Sequence, residues 1–332
     1  MSLEGDLVVI VANDRGYGRL ALLTLPQFAP VPMPEVDALT GQGLTSVPQL
    51  RDRRLVFSAS SPVAPGLSYS ITIDPQGTPS APERLTTIDD NGVDMSAFVQ
   101  PALVEITSFD GTKLPAWVFM PPGRAIDDGK GPVPFIVEYH GGPEGQSRPG
   151  FNREAQIFAS RGFGVMYPNV RGSTGYGRAF QMMDNYTKRW DSVKDGVACA
   201  RWLVERGLAR AGHIASRGTS YGGYMCTAVL IEDTRQAQAG TPRLFGAGMQ
   251  TVGITNFRTF LGQTADYRRK LREAEYGPMD DAKFMDSISP LTMIDQVQAP
   301  MMIVHGLNDP RVPIGEAMQL ALALQKRGMD PE

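Results

Sequence analysis

The sequence has few of the residues from which metal centres and disulfide frameworks are built. Its 332 residues include only two cysteines, Cys199 and Cys226, and three histidines. Both cysteines lie in apolar helical patterns, where buried reduced thiols are the ordinary interpretation. The chain contains no His-Glu-x-x-His and no Cys-x-x-Cys pattern. We therefore expect neither a metal site nor an organic cofactor, and a disulfide-built secreted domain is disfavoured.

The chain also has no excess of one charge and no long apolar run. Its net charge is −3 and its pI is about 5.7, which does not support a nucleic-acid or anionic-membrane partner. No apolar run approaches the roughly 18 residues of a membrane helix. The first residues do not show the basic and then apolar pattern of a secretory signal. We expect no nucleic-acid or membrane partner, and the cytoplasm is favoured as the compartment.

Residues 1–98 show the alternating pattern of an all-β segment. Strand, turn and strand are indicated by residues 7–11 and 20–25, and the pattern returns at 54–60 and 68–73. The two hairpins are separated by roughly the length of one propeller blade. We therefore expect a partial β-propeller-like segment, since two blades cannot close a ring.

Residues 99–332 show short apolar runs that alternate with helical stretches, which predicts a doubly wound, mostly parallel sheet covered on both faces. The strand candidates are 135–139, 163–167, 245–249 and 301–305. The helix candidates are 198–205, 224–231 and 314–327.

A serine turn, Gly-Thr-Ser-Tyr-Gly-Gly, stands at 218–223 between a short strand candidate and a helix. A serine at such a turn has strained backbone angles, and small neighbours relieve the crowding. The turn lifts the hydroxyl clear of the sheet, and the helix start favours developing negative charge. We predict that Ser220 is a nucleophile. Against this, Ser216 and Arg217 are poor occupants of a buried central strand.

A second motif, Tyr-His-Gly-Gly-Pro at 139–143, directly follows an apolar strand candidate. It resembles the oxyanion loop of α/β-hydrolases. There one backbone N–H comes from the residue after the nucleophile, here Tyr221, and another from a loop after an earlier strand. Glycines let such a loop approach the substrate carbonyl. We predict Gly142 as the second donor, with His140 in the same loop. The alternative is a plain glycine turn that ends a strand.

A third motif, His-Gly-Leu-Asn-Asp-Pro-Arg-Val-Pro at 305–313, follows the last apolar strand candidate. A carboxylate at a strand's carboxyl end is where the acid of a catalytic triad belongs, and the order of serine before aspartate agrees with this fold. We predict that Asp309 orients a catalytic imidazole. The alternative is a turn residue before Pro310.

With Asn-Val-Arg-Gly-Ser-Thr-Gly-Tyr-Gly at 169–177 and Ser-Phe-Asp-Gly-Thr-Lys-Leu at 108–114, these motifs resemble the peptidase domain of the prolyl oligopeptidase family, near its acylaminoacyl-peptidases and dipeptidyl-peptidases. The resemblance covers about residues 100–330. It implies an α/β-hydrolase domain at 99–332 that cleaves short peptides, with a propeller that restricts access. It also implies a pocket for the residue before the scissile bond, although the candidate residues could equally be core. These candidates are Ile254, Phe257, Phe260 and Val312.

The resemblance implies a histidine after the acid, and none of residues 310–332 is a histidine. His140 lies in the oxyanion loop, His305 precedes the acid, and His213 opens the nucleophile strand at its far end. Three interpretations stay open: a chain that lacks its C-terminal strand and catalytic histidine, an inactive family member, or a rearranged site that uses His140 or His305. We favour the first, and expect no practical peptidase activity from this chain alone.

Two other functional classes compete with a peptidase for short peptides. An esterase on the same fold would share the acyl-enzyme chemistry. A non-catalytic scaffold or binding protein would keep the sheet with a dead site. Without a further strand, the apolar strand at 301–305 would be an exposed edge, so we expect the chain alone to form homo-oligomers or to be poorly soluble.

Overall fold

The alternating residues of the first segment fold as antiparallel strands in a computed structural model, which describes residues 2–34, 43–44, 48–89 and 91–331. One sheet has the order β1-β2-β3-β4, and in the other β5-β7-β8-β9 are joined in that order while β6 also pairs with β7. The two predicted hairpins are β2–β3 and β7–β8. The strands are β1 (Ser2–Glu4), β2 (Leu7–Asp14), β3 (Tyr17–Thr24), β4 (Pro30–Val31), β5 (Gly43–Leu44), β6 (Gln49–Arg51), β7 (Arg54–Ser61), β8 (Ala64–Thr72) and β9 (Glu83–Arg84).

These two sheets share one apolar core, to which both hairpins contribute their inward-facing side chains. Leu7 and Leu22 come from the first hairpin, and Leu55, Phe57 and Ile71 come from the second. All five are almost fully buried. The all-β character of the segment is confirmed, whereas its identity as propeller blades stays a prediction.

Two compact units divide the chain, and helix α1 (Arg153–Ser160) lies with the first. That unit contains Met1–Pro101 and Arg148–Ser160, and the second contains Ala102–Ser147 and Arg161–Glu332. The sequence analysis predicts one boundary, between residues 98 and 99, and does not indicate that residues 148–160 join the first unit. The side chain of Gln156 contributes to the association. Its amide bonds the backbone N–H and carbonyl of Val99 and the carbonyl of Pro62, at 2.8–2.9 Å.

The second unit is built on a seven-stranded sheet with the order β10-β11-β13-β12-β14-β15-β16. The strands from β13 to β16 run parallel, and β10 and β11 add an antiparallel edge. The strands are β10 (Ala102–Thr107), β11 (Lys113–Phe119), β12 (Phe135–Tyr139), β13 (Gly164–Pro168), β14 (Ile214–Thr219), β15 (Phe245–Thr251) and β16 (Met301–Val304). The α-helices are α2 (Arg178–Gln181), α3 (Arg189–Glu205), α4 (Tyr221–Gln238), α5 (Phe257–Gln263), α6 (Asp266–Tyr276), α7 (Ala282–Ile288) and α8 (Gly315–Lys326).

Short 3-10 helices complete the described elements, at Met95–Ala97, Tyr186–Lys188 and Pro290–Gln296. Among the described residues, no helix is long and apolar enough to cross a membrane. Cys199 in α3 and Cys226 in α4 are buried free thiols, as the sequence indicated.

The register of the sheet brings the three predicted motifs to one edge. Tyr139 at the end of β12 pairs with Gly218 in β14. Thr219 pairs with Thr251 in β15, which in turn pairs with Val304 in β16. The loops that follow β12, β14 and β16 therefore all begin at the carboxyl edge of the sheet, where ligands of such folds bind.

The polar residues of β14 have partners that reconcile them with a central strand. Ser216 is fully buried, and its hydroxyl donates to the carbonyl of Cys226 at 3.2 Å. The guanidinium of Arg217 forms an ion pair with Glu138 at 2.5 Å, directly across on β12. A buried polar group with a partner escapes most of its desolvation cost, so these residues do not count against the strand.

Candidate active site

Ser220 lies on a tight turn and has a strained backbone. Its angles are φ 60° and ψ −120°, in a region that non-glycine residues rarely occupy. The turn is held by a hydrogen bond from the Ser220 N–H to the Thr251 carbonyl, at 2.9 Å. The side chain is half-buried, and its hydroxyl has no hydrogen-bond partner among the described residues. The predicted strand, turn and helix around this serine are therefore present.

The glycines around Ser220 are required by space. A Cβ added at Gly218 would lie 2.1 Å from the Gly222 carbonyl oxygen. A Cβ added at Gly222 would lie 2.0 Å from the Tyr139 carbonyl oxygen. The end of β12 and the turn at Ser220 therefore pack backbone against backbone, and only glycine leaves room for this contact.

Tyr221, which follows the serine, begins α4 and is fixed by its side chain. The ring is buried, and its hydroxyl lies 3.0 Å from both Arg189 Nη1 and Ser192 Oγ. Burial raises the pKa of this phenol to about 12, so it is protonated at neutral pH. Its backbone N–H belongs to the first turn of α4, where helix N–H groups lack intrahelical acceptors. That N–H is free to stabilise an oxyanion.

Gly142 lies in a loop that is held by its carbonyl. Its φ is 140°, and an added Cβ would lie 2.6 Å from the Glu144 nitrogen. Its carbonyl accepts hydrogen bonds from Arg272 Nη1 at 3.1 Å and from the Tyr276 hydroxyl at 3.4 Å. These contacts fix the orientation of the Gly142–Pro143 peptide.

His140 supports this loop and does not contact the nucleophile. Its Nδ1 lies 2.9 Å from the Gly141 carbonyl, and its Nε2 lies 2.9 Å from Ser173 Oγ. Burial lowers the pKa of the imidazole, which favours the neutral form at pH 7. Since both ring nitrogens are engaged and neither bonds Ser220, the geometry gives His140 a structural part in the loop.

The motif at 169–177 holds the oxyanion loop by hydrogen bonds, a role that the sequence did not indicate. The Asn169 amide bonds both backbone groups of Ser147, at 2.7 and 3.1 Å. The Thr174 N–H donates to the Gly145 carbonyl at 2.8 Å. The motif itself is held by Arg171, whose guanidinium forms an ion pair with the buried Asp195 of α3 at 2.8 Å. No local pattern signals these contacts, because their partners are 22 to 29 residues apart in the chain.

Asp309 lies in the loop after β16, and among the described residues its side-chain hydrogen bonds come from that loop. Its Oδ1 accepts the backbone N–H groups of Arg311 and Val312, each at 2.8 Å. The Val312 N–H chiefly holds the pKa of this carboxyl below its ordinary value, so it is ionised at neutral pH. His305 donates from Nε2 to the Val312 carbonyl at 2.8 Å, and its buried Nδ1 has no hydrogen-bond partner in the part of the chain that the structure describes. Within the described residues, no hydrogen bond joins Asp309 to a histidine.

The four predicted pocket residues are all buried in the apolar core of the second unit. Phe257 packs against Tyr276 and Tyr224, with ring centroids 4.8 and 5.1 Å apart. Ile254, Phe260 and Val312 are similarly inaccessible. Their assignment to a substrate pocket stays a prediction.

A cavity that the sequence did not indicate lies beside the oxyanion loop. Its volume is about 400 Å³, and Glu144, Arg272 and Glu275 contribute to its lining. The charged residues of α6 have the pattern of a solvated helix face, and such a pattern does not indicate a cavity. In the part of the chain that the structure describes, no three His, Cys, Asp or Glu side chains are grouped as metal ligands would be.

Comparison with known proteins relates the chain to peptidases. Dipeptidyl aminopeptidase BIII of Pseudoxanthomonas mexicana is 33% identical over 235 residues, which cover 68% of this chain and 33% of that protein. An acylamino-acid-releasing enzyme of Arabidopsis thaliana is 29% identical over 64% of this chain and 28% of its own length. A puromycin-hydrolyzing peptidase of Mycobacterium tuberculosis superposes with a TM-score of 0.84 at 26% identity, covering 99% of this chain and 49% of that one.

The chain thus spans about a third of the sequence relatives and half of the structural one. Its second unit has the α/β-hydrolase fold. The family model of the prolyl oligopeptidase family matches residues 149–332, which is more than half of the chain. That region includes Ser220 and Asp309, two of the residues on which the sequence resemblance rested. The chain therefore belongs to the prolyl oligopeptidase family.

Proposed function

We propose that the protein is a serine peptidase in which Ser220 is the nucleophile, the N–H groups of Tyr221 and Gly142 stabilise the oxyanion, and Asp309 orients the catalytic histidine. The observation that carries this proposal is the backbone of Ser220. Strained angles between a strand and a helix, with glycine-only contacts on both sides, are costly and persist where they position a reactive group.

The proposed reaction proceeds through an acyl-enzyme. The Ser220 oxygen adds to the carbonyl carbon of the peptide bond while a histidine accepts the hydroxyl proton. Negative charge on the carbonyl oxygen is then stabilised by the two N–H groups. Collapse of this intermediate breaks the C–N bond, and the histidine returns the proton to the departing amine. Water repeats the sequence to release the acid, and the ionised Asp309 stabilises the imidazolium in both halves.

We further propose that the catalytic base is a histidine outside these 332 residues. His140 and His305 support this, since each has a ring nitrogen committed to a carbonyl and neither bonds Ser220. His213 precedes Ile214, at the opposite end of β14 from the nucleophile. A serine without its base loses a factor on the order of 10⁶ in kcat, so we expect this chain alone to be practically inactive.

Short peptides are the proposed substrates. The relatives are named as a dipeptidyl aminopeptidase and an acylamino-acid-releasing enzyme, and the family match agrees with a peptide substrate. The cytoplasm, as the proposed compartment, rests on the two reduced cysteines.

The test is hydrolysis of a panel of short peptide amides and matched esters by the full-length natural protein. We expect amide cleavage, and a loss on the order of 10⁶-fold in the Ser220→Ala variant. Ser287→Ala is the matched control, because that residue is exposed and its hydroxyl donates to the carbonyl of Phe284, in the same helix. Cleavage of esters alone would favour an esterase. Absence of Ser220-dependent turnover on both panels would favour a scaffold with a dead site.

A further inference from the structure

We infer that Arg189, the first residue of α3, is a positioning residue that holds both sides of the proposed oxyanion hole. The inference rests on the function proposed above, since it concerns the Tyr221 and Gly142 donors. Arg189 is fully buried and lies 32 residues before Tyr221 in the chain. Neither its type nor its spacing marked it in the sequence.

On the nucleophile side, Arg189 fixes the side chain of Tyr221 in two ways. Its Nη1 donates to the Tyr221 hydroxyl at 3.0 Å, and the guanidinium lies over the Tyr221 ring at 5.2 Å from the centroid. Ser192, one turn along α3, also bonds this hydroxyl. Because the ring is tethered at its far end, rotation of the residue that carries the first oxyanion N–H is restrained.

On the oxyanion-loop side, Arg189 acts through the end of α6. Its Nη2 donates to the Glu275 carbonyl at 2.9 Å, and its guanidinium stacks on the Tyr276 ring at 5.0 Å from the centroid. The hydroxyl of Tyr276 donates to the Gly142 carbonyl. The carboxylate of Glu275 holds Arg272 at 2.7 Å, and Arg272 donates to the same carbonyl. Two short chains of contacts therefore run from Arg189 to Gly142.

The charge of Arg189 is balanced in place by Asp184, which is buried and bonds Nη1. A buried ion pair contributes little net stability compared with an apolar pair of similar shape. Its directional hydrogen bonds, however, fix the groups around it. The guanidinium is suited to this part because its planar fork reaches the carboxylate, the phenol and the carbonyl together.

The competing explanation is that Arg189 only stabilises the fold. Kinetic measurements distinguish this explanation from a positioning role. In the full-length protein we expect Arg189→Met to lower kcat on the order of 10²-fold, as loss of an oxyanion donor does, with KM nearly unchanged. Asp233→Asn is the matched control. That carboxylate is buried in the same helix as Tyr221 and accepts the N–H groups of Leu244 and Phe245. We expect it to lower the unfolding temperature and to leave kcat as it is.

A double-mutant cycle tests whether Arg189 acts through Tyr221. Tyr221→Phe keeps the ring and the backbone N–H but removes the hydroxyl that Arg189 bonds. If the arginine acts through this hydroxyl, the effects of Arg189→Met and Tyr221→Phe on kcat are strongly non-additive. Additive effects, or a kcat loss in Arg189→Met no larger than in Asp233→Asn, would overturn the inference.

Amide hydrogen exchange, followed by mass spectrometry, decides the point without reference to activity. We expect Arg189→Met to accelerate exchange in peptides that cover both 139–145 and 218–224, and Asp233→Asn to leave both at the native rate. If either peptide of Arg189→Met exchanged at the native rate, the inference that Arg189 holds both sides of the oxyanion hole would be refuted. A wild-type protein without Ser220-dependent turnover would instead remove the proposed function, while the exchange result would still decide whether Arg189 holds both sides.

Discussion

The two sides of the candidate site are built very differently. On the oxyanion side, Ser220, Tyr221 and Gly142 are held by contacts with strand β15 and helices α3 and α6, and the backbones approach so closely that a methyl group has no room. On the acid side, Asp309 is half-exposed and is held by two N–H groups of its own loop. The neighbouring glycine, Gly306, has no atom near the place of a Cβ.

This difference shows which part of the chemistry the chain can prepare by itself. Stabilisation of an oxyanion requires donors that do not move during the reaction, and burial among fixed partners provides this. Transfer of a proton requires a histidine between Asp309 and Ser220, and none of the three histidines bonds either residue. In the proposed mechanism the chain supplies both oxyanion donors and the acid, and the histidine is proposed to lie outside it.

The largest expected effect on the acid side is catalytic. Asp309→Asn in the full-length protein should lower kcat by about 10⁴-fold, because a neutral amide cannot hold the histidine in the required tautomer. Stability should change by less than about 0.5 kcal/mol, since the side chain is half-exposed. Steady-state kinetics and urea unfolding measure the two quantities. A kcat within tenfold of the wild type would remove Asp309 from the triad.

The packing difference is tested by two matched glycine substitutions. Gly222→Ala should lower the free energy of unfolding by about 3 kcal/mol, because its Cβ meets the Tyr139 carbonyl at 2.0 Å. Gly306→Ala should change it by less than about 0.5 kcal/mol, because its Cβ meets nothing within 4 Å. Equal effects in urea unfolding of the two variants would contradict the comparison.

Burial of His140 predicts a smaller effect that depends on pH. Because burial lowers the pKa of His140 in the folded state, the unfolded state binds more protons once the pH falls below about 6.5. The free energy of unfolding should therefore fall as the pH is lowered from 6.5, with a slope of up to about 1.4 kcal/mol per pH unit. His140→Gln should flatten this slope. An unchanged slope would show that the imidazole is not desolvated.

We also expect this chain to self-associate through the edge of the sheet at β16. The outer strand β16 pairs with β15, and within the described residues it has no second strand partner. Met302 and Val304 are partly exposed along it. An apolar edge of this kind promotes pairing between chains. Sedimentation of the 332-residue chain should show oligomers, and a single monomeric species would contradict this.

The sequence predicted most of the fold because its periodicities are local. The two hairpins of the first unit and four of the seven strands of the large sheet were each recognisable from a short apolar run. The association of residues 148–160 with the first unit was not, because it involves long-range contacts such as those of Gln156, which bonds backbone groups 57 and 94 residues away.

The sequence also located Ser220 and Asp309, since a glycine-flanked serine and an aspartate after a strand have recognisable neighbours. It did not indicate how the oxyanion loop is held. Arg189, Arg272 and Tyr276 reach that loop or Tyr221 from distances of 32 to 134 residues, and only the fold brings them together. Long-range polar contacts of this kind produce no periodic pattern in the sequence.

The central claim is that Ser220 is a nucleophile whose base lies outside this chain. Labelling with a fluorescent fluorophosphonate, with the modified residue mapped by mass spectrometry, tests it directly in the full-length natural protein and the 332-residue chain side by side. We expect labelling at Ser220 in the full-length protein and none in the shorter chain. Labelling of both would show that the serine is activated within the 332 residues, and labelling of neither would contradict the assignment of Ser220 as a nucleophile.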